Sequence, residues 1–170
     1  MNDDPIPDLV IDPVHESDLP EVNRFVNEPE IARYLDLVPP VSLSRTYDFF
    51  RYLQDQGGAW WALRVDGVLA GSVGLIPGDP ASRLGHAASV FIYIDTPWWG
   101  RGIGSRGIRA IADEARRRGV VRLEALVVDE NERSLRLFRS AGFEHEAVRH
   151  LGFRADDGYR DLVQLVLLLD

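Results

Sequence analysis

Trp99-Gly100-Arg101-Gly102-Ile103-Gly104-Ser105-Arg106-Gly107 lies between a strand-like run, His86 to Ile94, and an amphipathic run that begins at Gly102. Asp95-Thr96-Pro97 closes the strand, because proline brings no N–H to a ladder. From Gly102 to Arg118 the apolar residues Ile103, Ile108, Ile111, Ala112 and Ala115 mark one stripe of a helix. Arg116 to Arg118 complement the negative end of its dipole, and Gly119 ends it. Glycines at such a turn let backbone N–H groups approach a ligand, the helix start is partly positive, and Arg101 and Arg106 add full charges. The stretch reads as an anion cradle at a strand-to-helix turn.

Upstream, Leu9 to Val14 alternates as a strand, and Asp18-Leu19-Pro20-Glu21 has the cap, early proline and first-turn acid that open a helix to about Asn27. Pro29, Pro39 and Pro40 interrupt the next stretch, and a second helix runs from about Ser44 to Gln56 before Gly57-Gly58. Ala59 to Val65 and Val68 to Ile76 flank Asp66-Gly67, a pair suited to the positive φ of a type I′ hairpin turn. Trp60 and Trp61 fall on opposite faces of that first strand. Downstream, Val121 to Val128 is an apolar strand, Asn131 to Ala141 a short helix ended by Gly142, and Phe143 to Gly152 and Arg160 to Leu169 a final strand pair. The expectation is an α/β (α+β) fold: one mixed, mostly antiparallel sheet of about seven strands flanked by about four helices.

The 170 residues suit one domain, 9–170, with Met1 to Asp8 as a flexible acidic tail. That tail lacks the basic start and apolar stretch of a secretory signal, and no apolar run reaches membrane-spanning length. The absence of cysteine excludes a disulfide scaffold, a thiolate metal site and a cysteine nucleophile, and is compatible with a cytoplasmic address. A net charge of -8 disfavours nucleic acid as a partner, though a local basic patch can still meet one phosphorylated ligand. His15, His86, His145 and His150 lie far apart without metal-ligand spacing, so no metal is expected.

Gly102-Ile103-Gly104-Ser105-Arg106-Gly107 also satisfies the dinucleotide fingerprint GxGxxG, with Glu124 17 residues beyond the last glycine. The preceding strand sits in an antiparallel run, no repeated βαβ halves come after it, and Glu124 falls inside its strand, all of which count against that reading. A second motif separates the alternatives: Asn131-Glu132-Arg133-Ser134-Leu135-Arg136-Leu137-Phe138-Arg139-Ser140-Ala141-Gly142-Phe143. Together with Ile92-Tyr93-Ile94-Asp95 and the glycine loop, it resembles the GCN5-related N-acetyltransferase (GNAT) superfamily from about residue 86 to 143. The likeness continues through Gly158-Tyr159-Arg160-Asp161. His86 to Gly104 and Leu151 to Leu168 are similar to the branch acting on small amino acids and related amines.

The resemblance implies an N-acetyltransferase that moves an acetyl or other acyl group from acetyl-CoA to a primary amine. It implies that the fourth and fifth strands splay apart after a bulge, so that backbone near Ile92, Tyr93 and Ile94 pairs with the pantetheine arm. Trp99, Gly100, Arg101, Gly102, Ile103, Gly104 and Ser105 would hold the pyrophosphate, with Asn131, Ser134 and Phe138 also on the cofactor. The acceptor would be a small molecule such as an amino acid or polyamine-like compound, with Glu28, Tyr34 and Tyr159 as lining groups. A peptide N-terminus, or acyl-CoA binding without turnover, are the alternatives. Ser89, Trp99 and Phe138 stand where a carboxylate, a polar residue and a tyrosine acid are common in the family, so the candidates for proton transfer are Glu124, Tyr93 and Ser89, with His86, Tyr159 and water beside them. Dimers are common among such proteins, so a homodimer is a further expectation.

Overall fold

The computed structural model describes residues 8–170; apart from Asp8, the expected tail lies outside the described residues. Seven strands form one sheet: β1 (Leu9–Pro13), β2 (Ala59–Val65), β3 (Val68–Pro77), β4 (Ala87–Ile94), β5 (Arg122–Val128), β6 (Glu144–Ala155) and β7 (Gly158–Leu168), in the order β1-β2-β3-β4-β5-β7-β6. The helices are α1 (Leu19–Asn27), α2 (Pro29–Ala32), α3 (Leu43–Asp55), α4 (Ile103–Arg117) and α5 (Glu132–Ser140). The short α2 is additional to the four expected. Glu28 is extended and Pro29 starts the helix, so the proline that reads as a breaker acts instead as a first helical residue.

Local chemistry accounts for most boundaries. Asp66 and Gly67 both have positive φ, 50° and 78°, as the type I′ turn between β2 and β3 requires. Ser42 caps α3 by accepting from the Arg45 N–H, and Asn131 caps α5 by accepting from the Ser134 N–H.

The helices cover the two sheet faces. On one face α4 and α5 bury Ile103, Ile108, Ile111, Leu135 and Phe138 against Leu63, Val73, Leu75, Leu123 and Val127. On the other, α1 and α3 bury Val22, Phe25, Phe50 and Leu53 against Trp60 and Ala62. The indole N–H of Trp60 donates to Ser72 Oγ at 3.0 Å, which satisfies both buried polar groups. Trp61 packs on the opposite face.

All neighbouring strands are antiparallel except β4 and β5. Those two are parallel and pair only through Ala87, Ala88 and Ser89 with Arg122, Leu123 and Glu124. Beyond that point β4 stays with β3 to Ile94 and β5 stays with β7 to Val128, so the two strands part. The expected bulge does not accompany the split: β4 pairs with β3 without a register shift, and shifts occur instead at Leu63/Arg64 in β2 and at two places in β6.

Arg64 on β2 donates to Asp12 on β1 (2.9 Å) and, with both terminal nitrogens, to Asp18 before α1 (2.9 and 2.7 Å). Burial alone would raise the Asp18 carboxyl, but Arg64 and the His15 backbone N–H outweigh it and hold it below the ordinary value of 3.8. A depressed carboxyl stabilises the fold above its unfolded value and loses that contribution as pH falls through the folded one. Arg64→Met is therefore expected to lower the melting temperature at neutral pH, with the difference from the parent shrinking below the unfolded carboxyl range. Thermal melts across an acid series check this; a deficit that stays constant into acid contradicts it.

Candidate active site

The parting of β4 and β5 leaves one edge of β4 without a strand partner. The Asp95 N–H donates to Ala70 O at 2.9 Å, and Tyr93 and Phe91 stand opposite Ser72 and Gly74. Antiparallel pairs alternate, so Asp95, Tyr93 and Phe91 direct their main-chain groups to β3, whereas Ile92 and Ile94 direct theirs into the gap. One of those groups is taken: the Trp99 indole N–H donates to Ile94 O at 2.7 Å. The Ile92 N–H and C=O and the Ile94 N–H face the opening.

Past Ile94 the chain makes a short turn that aims α4 at the gap. Asp95 accepts from the Thr96 N–H at 3.0 Å and from Arg24 of α1 at 2.7 Å, which ties the turn to the first helix. Gly102 sits at the start of α4 with φ 79°, a left-handed conformation that a side chain strains, and it supplies no capping side chain. Gly102 thus leaves the first turn of α4 without a cap from its own N-cap residue. Gly104 serves packing: a Cβ there would lie 3.1 Å from Leu137, so its glycine lets α5 lie close to α4.

The gap opens into a cleft of about 910 Å³. One wall comprises Ile92, Ile94, Trp99, the loop Gly100 to Ser105, and Asn131, Arg133, Ser134, Arg136 and Phe138 from α5. The Arg133 guanidinium stacks on the Trp99 ring at 3.4 Å, and Arg101 lies 5.0 Å from the Trp98 ring. Phe138 is nearly fully buried and meets Phe143 edge-on at 5.0 Å, so it forms the floor of this wall through the hydrophobic core.

The opposite wall carries different chemistry. Ser89, Phe91 and Tyr93 of β4 face Glu124 and Leu126 of β5, with Glu30, Tyr34 and Asp36 from the α2 region and Arg149, Phe153 and Leu162 from the last two strands. Tyr93 ends a row of rings, 5.5 Å from Phe91, which is 5.7 Å from Trp60. Burial pushes its phenol well above the ordinary tyrosine value, and the charge of Asp36 adds to the effect. Ser89 and Glu124 are partners in the last pair before the strands part. Glu124 Oε1 accepts from Arg122 Nε at 2.6 Å, and Arg122 also holds Glu146 with both terminal nitrogens.

Two expected lining groups lie elsewhere. Glu28 does not line the cleft; its carbonyl accepts from the Ile31 and Ala32 N–H groups and so starts α2, while Glu30 reaches the cleft two residues later. Tyr159 is 60% exposed next to the β6–β7 turn, opposite Arg154, and does not line the cleft. His86 is also outside it, with Nδ1 at 3.0 Å from Arg83 O. Glu30, Asp36, Arg133, Arg136, Arg149 and Phe153 are cleft residues that sequence reasoning did not single out. Arg133 and Arg136 were within reach, being three apart on the helix that Asn131 opens.

The first wall suits an elongated ligand with an anionic, phosphorylated end and an amide-bearing arm: a glycine-opened helix start and arginines for the charge, an open strand edge for the amides. Comparison with known proteins points the same way. The family model for the acetyltransferase (GNAT) domain matches residues 8–144. Spermidine N(1)-acetyltransferase of Escherichia coli K12 is 26% identical over 159 residues, covering 91% of this chain and 83% of its own length. N-alpha-acetyltransferase RimI of Mycobacterium tuberculosis is 35% identical over 111 residues, 62% of this chain and 65% of its own. The crystal structure of spermidine N-acetyltransferase from Vibrio cholerae in complex with CoA and spermine superposes with a TM-score of 0.83 at 20% identity, covering 94% of this chain and 95% of that one.

Proposed function

The chain belongs to the GNAT acetyltransferase family of acyl-CoA-dependent N-acetyltransferases, and from that premise we propose that it transfers acetyl directly from acetyl-CoA to a primary amine of a small molecule within the β4–β5 cleft. The observation that carries this reading is the division of the cleft: an open strand edge with Arg101, Arg133 and Arg136 on one wall, and the acids Glu30, Asp36 and Glu124 on the other.

Acetyl-CoA supplies an acyl group already activated as a thioester. Gly100 to Ser105, with Arg101, would hold the pyrophosphate through first-turn N–H groups and charge, and Asn131, Ser134, Arg133 and Arg136 would flank it. Ile92 and the Ile94 N–H would pair with the amides of the arm, fixing its depth in the gap. Trp99 restrains that edge by holding Ile94 O.

For transfer a C–N bond forms and the C–S bond breaks, the amine gives up a proton and the departing sulfur takes one. An ammonium has no lone pair, so a base must act at the acceptor side. Glu124 suits that role, directly or through water, because Arg122 holds Oε1 and leaves the second oxygen for the amine. Tyr93 is placed for the acid role, since its side chain lines the cleft and a phenol carries its proton at neutral pH. Ser89, across from Glu124, would orient the amine, and Glu30, Tyr34 and Asp36 would draw a cationic amine into the cleft.

Incubation of the purified protein with acetyl-CoA and a panel of small primary amines, read as free-thiol release, tests this function. Amine-dependent release supports it, and release with none of the panel overturns it. The likeness to RimI supports a second reading, acetylation of a peptide N-terminus. Mass shifts of short peptides in place of small amines would then be the positive result.

A further inference from the structure

Four arginines line the cleft, and their distribution is uneven. Arg101, Arg133 and Arg136 belong to the α4–α5 wall, whereas Arg149 stands on β6, across the sheet face that carries Glu124 and Leu126. Strand register places it there: Arg149 is opposite Leu162 on β7, and Leu162 is opposite Val128 on β5, which shares its face with Leu126 and Glu124. The chain then departs from regular pairing between Arg149 and Phe153. Leu151 adopts φ 54°, its N–H donates to Asp161 Oδ1 at 2.9 Å, and His150 Nδ1 lies 2.9 Å from Asp161 Oδ2. This pinned bulge puts Arg149, Gly152 and Phe153 together on the cleft.

The partners of Arg149 distinguish it from its neighbour Arg122. Arg122 is committed to two carboxylates, Glu124 and Glu146. Arg149 makes a single 3.2 Å bond to the neutral amide oxygen of Gln164 and, among the described residues, no ion pair. Gln164 is itself fixed by donating to Glu146 at 3.0 Å. The result is a guanidinium oriented by a side-chain amide, facing the acceptor half of the cleft, with most of its planar fork of donors uncommitted.

We propose that Arg149 binds a carboxylate of the acceptor, so that the acceptor is a zwitterionic, amino-acid-like amine whose acid group docks on β6 while its amine reaches the β4–β5 gap. The inference rests on the acetyl-transfer reading and narrows it. A guanidinium beside the acceptor path attracts a carboxylate through paired N–H···O bonds and repels a polycationic chain, so one residue selects for the first and against the second. Glu30 and Asp36, from the α2 region of the same half of the cleft, supply the opposite charge for the ammonium end before it is deprotonated.

The test pairs each of several amino acids with its primary carboxamide, so that the amine is kept and the carboxylate alone is neutralised. kcat/KM is measured for the parent, Arg149→Gln and Arg149→Lys, with KM for acetyl-CoA and the melting temperature recorded alongside. Because amides and acids differ in intrinsic reactivity, the quantity that decides is the change in the acid-to-amide ratio. That ratio is expected to fall about 10-fold or more in Arg149→Gln and by less in Arg149→Lys, with acetyl-CoA KM and melting temperature unchanged. A ratio that Arg149→Gln leaves intact, or a rise in acetyl-CoA KM in its place, overturns the inference while leaving acetyl transfer standing. Failure of every amine of either kind to release thiol overturns both.

Discussion

Tyr93→Phe is expected to lower kcat by about 100-fold, the scale of a lost general acid, with KM for acetyl-CoA unchanged. The phenol sits at the end of the Phe91 and Trp60 ring row, on the acceptor side of the strand whose other residues open to the gap. Burial and the nearby Asp36 raise it, so it is protonated throughout the range in which the enzyme is assayed. The deficit of the variant should therefore be constant between about pH 6 and about pH 9, because no deprotonation of Tyr93 occurs there. Any rising limb of activity with pH belongs to the amine and its base. Steady-state kinetics of parent and variant over that range provide the check, and a variant that retains full kcat leaves protonation of the sulfur to water.

A comparable loss, in stability, is expected at the floor of the cleft. Phe138→Ala removes a ring that is 3% exposed and edge-packed on Phe143, which places the cost at about 3–5 kcal/mol. The effect should reach the site, because α5 is short and Leu135 is its one other buried side chain. With Phe138 truncated, Asn131, Arg133 and Ser134 lose the anchor that sets their distance from α4. Denaturant unfolding should report the stability loss and calorimetry a weakened affinity for CoA. Phe138→Leu keeps most of the volume and should recover much of both. Stability that falls with unchanged CoA affinity would separate α5 from the binding wall.

What the sequence disclosed was mostly local. Asp66-Gly67, the Asn131 cap and the glycine that starts α4 each depend on neighbours within a few residues, so composition and spacing expose them. The β4–β5 split was legible through family likeness alone, since nothing in Ala87 to Ile94 itself says where a parallel partner ends. Several site features depend on distant geometry. Trp99 reads as part of the glycine loop, yet its indole turns back to Ile94 O, a contact that needs the folded turn. Glu28 and Glu30 differ by two residues around a proline, and only the path of α2 decides which one reaches the cleft. Arg149 and Phe153 were hidden because the bulge between them breaks the alternation from which faces are read.

The central claim is that the open edge of β4 and the start of α4 form one binding surface for an acyl-CoA. Residue-resolved amide hydrogen exchange, with and without saturating CoA, tests it most directly. The predicted result is new protection at the Ile92 and Ile94 N–H groups and in the first turn of α4, with Phe91 and Tyr93 little changed because β3 already holds them. Protection confined to other surfaces, with Ile92 and Ile94 exchanging as in the free protein, would contradict the account.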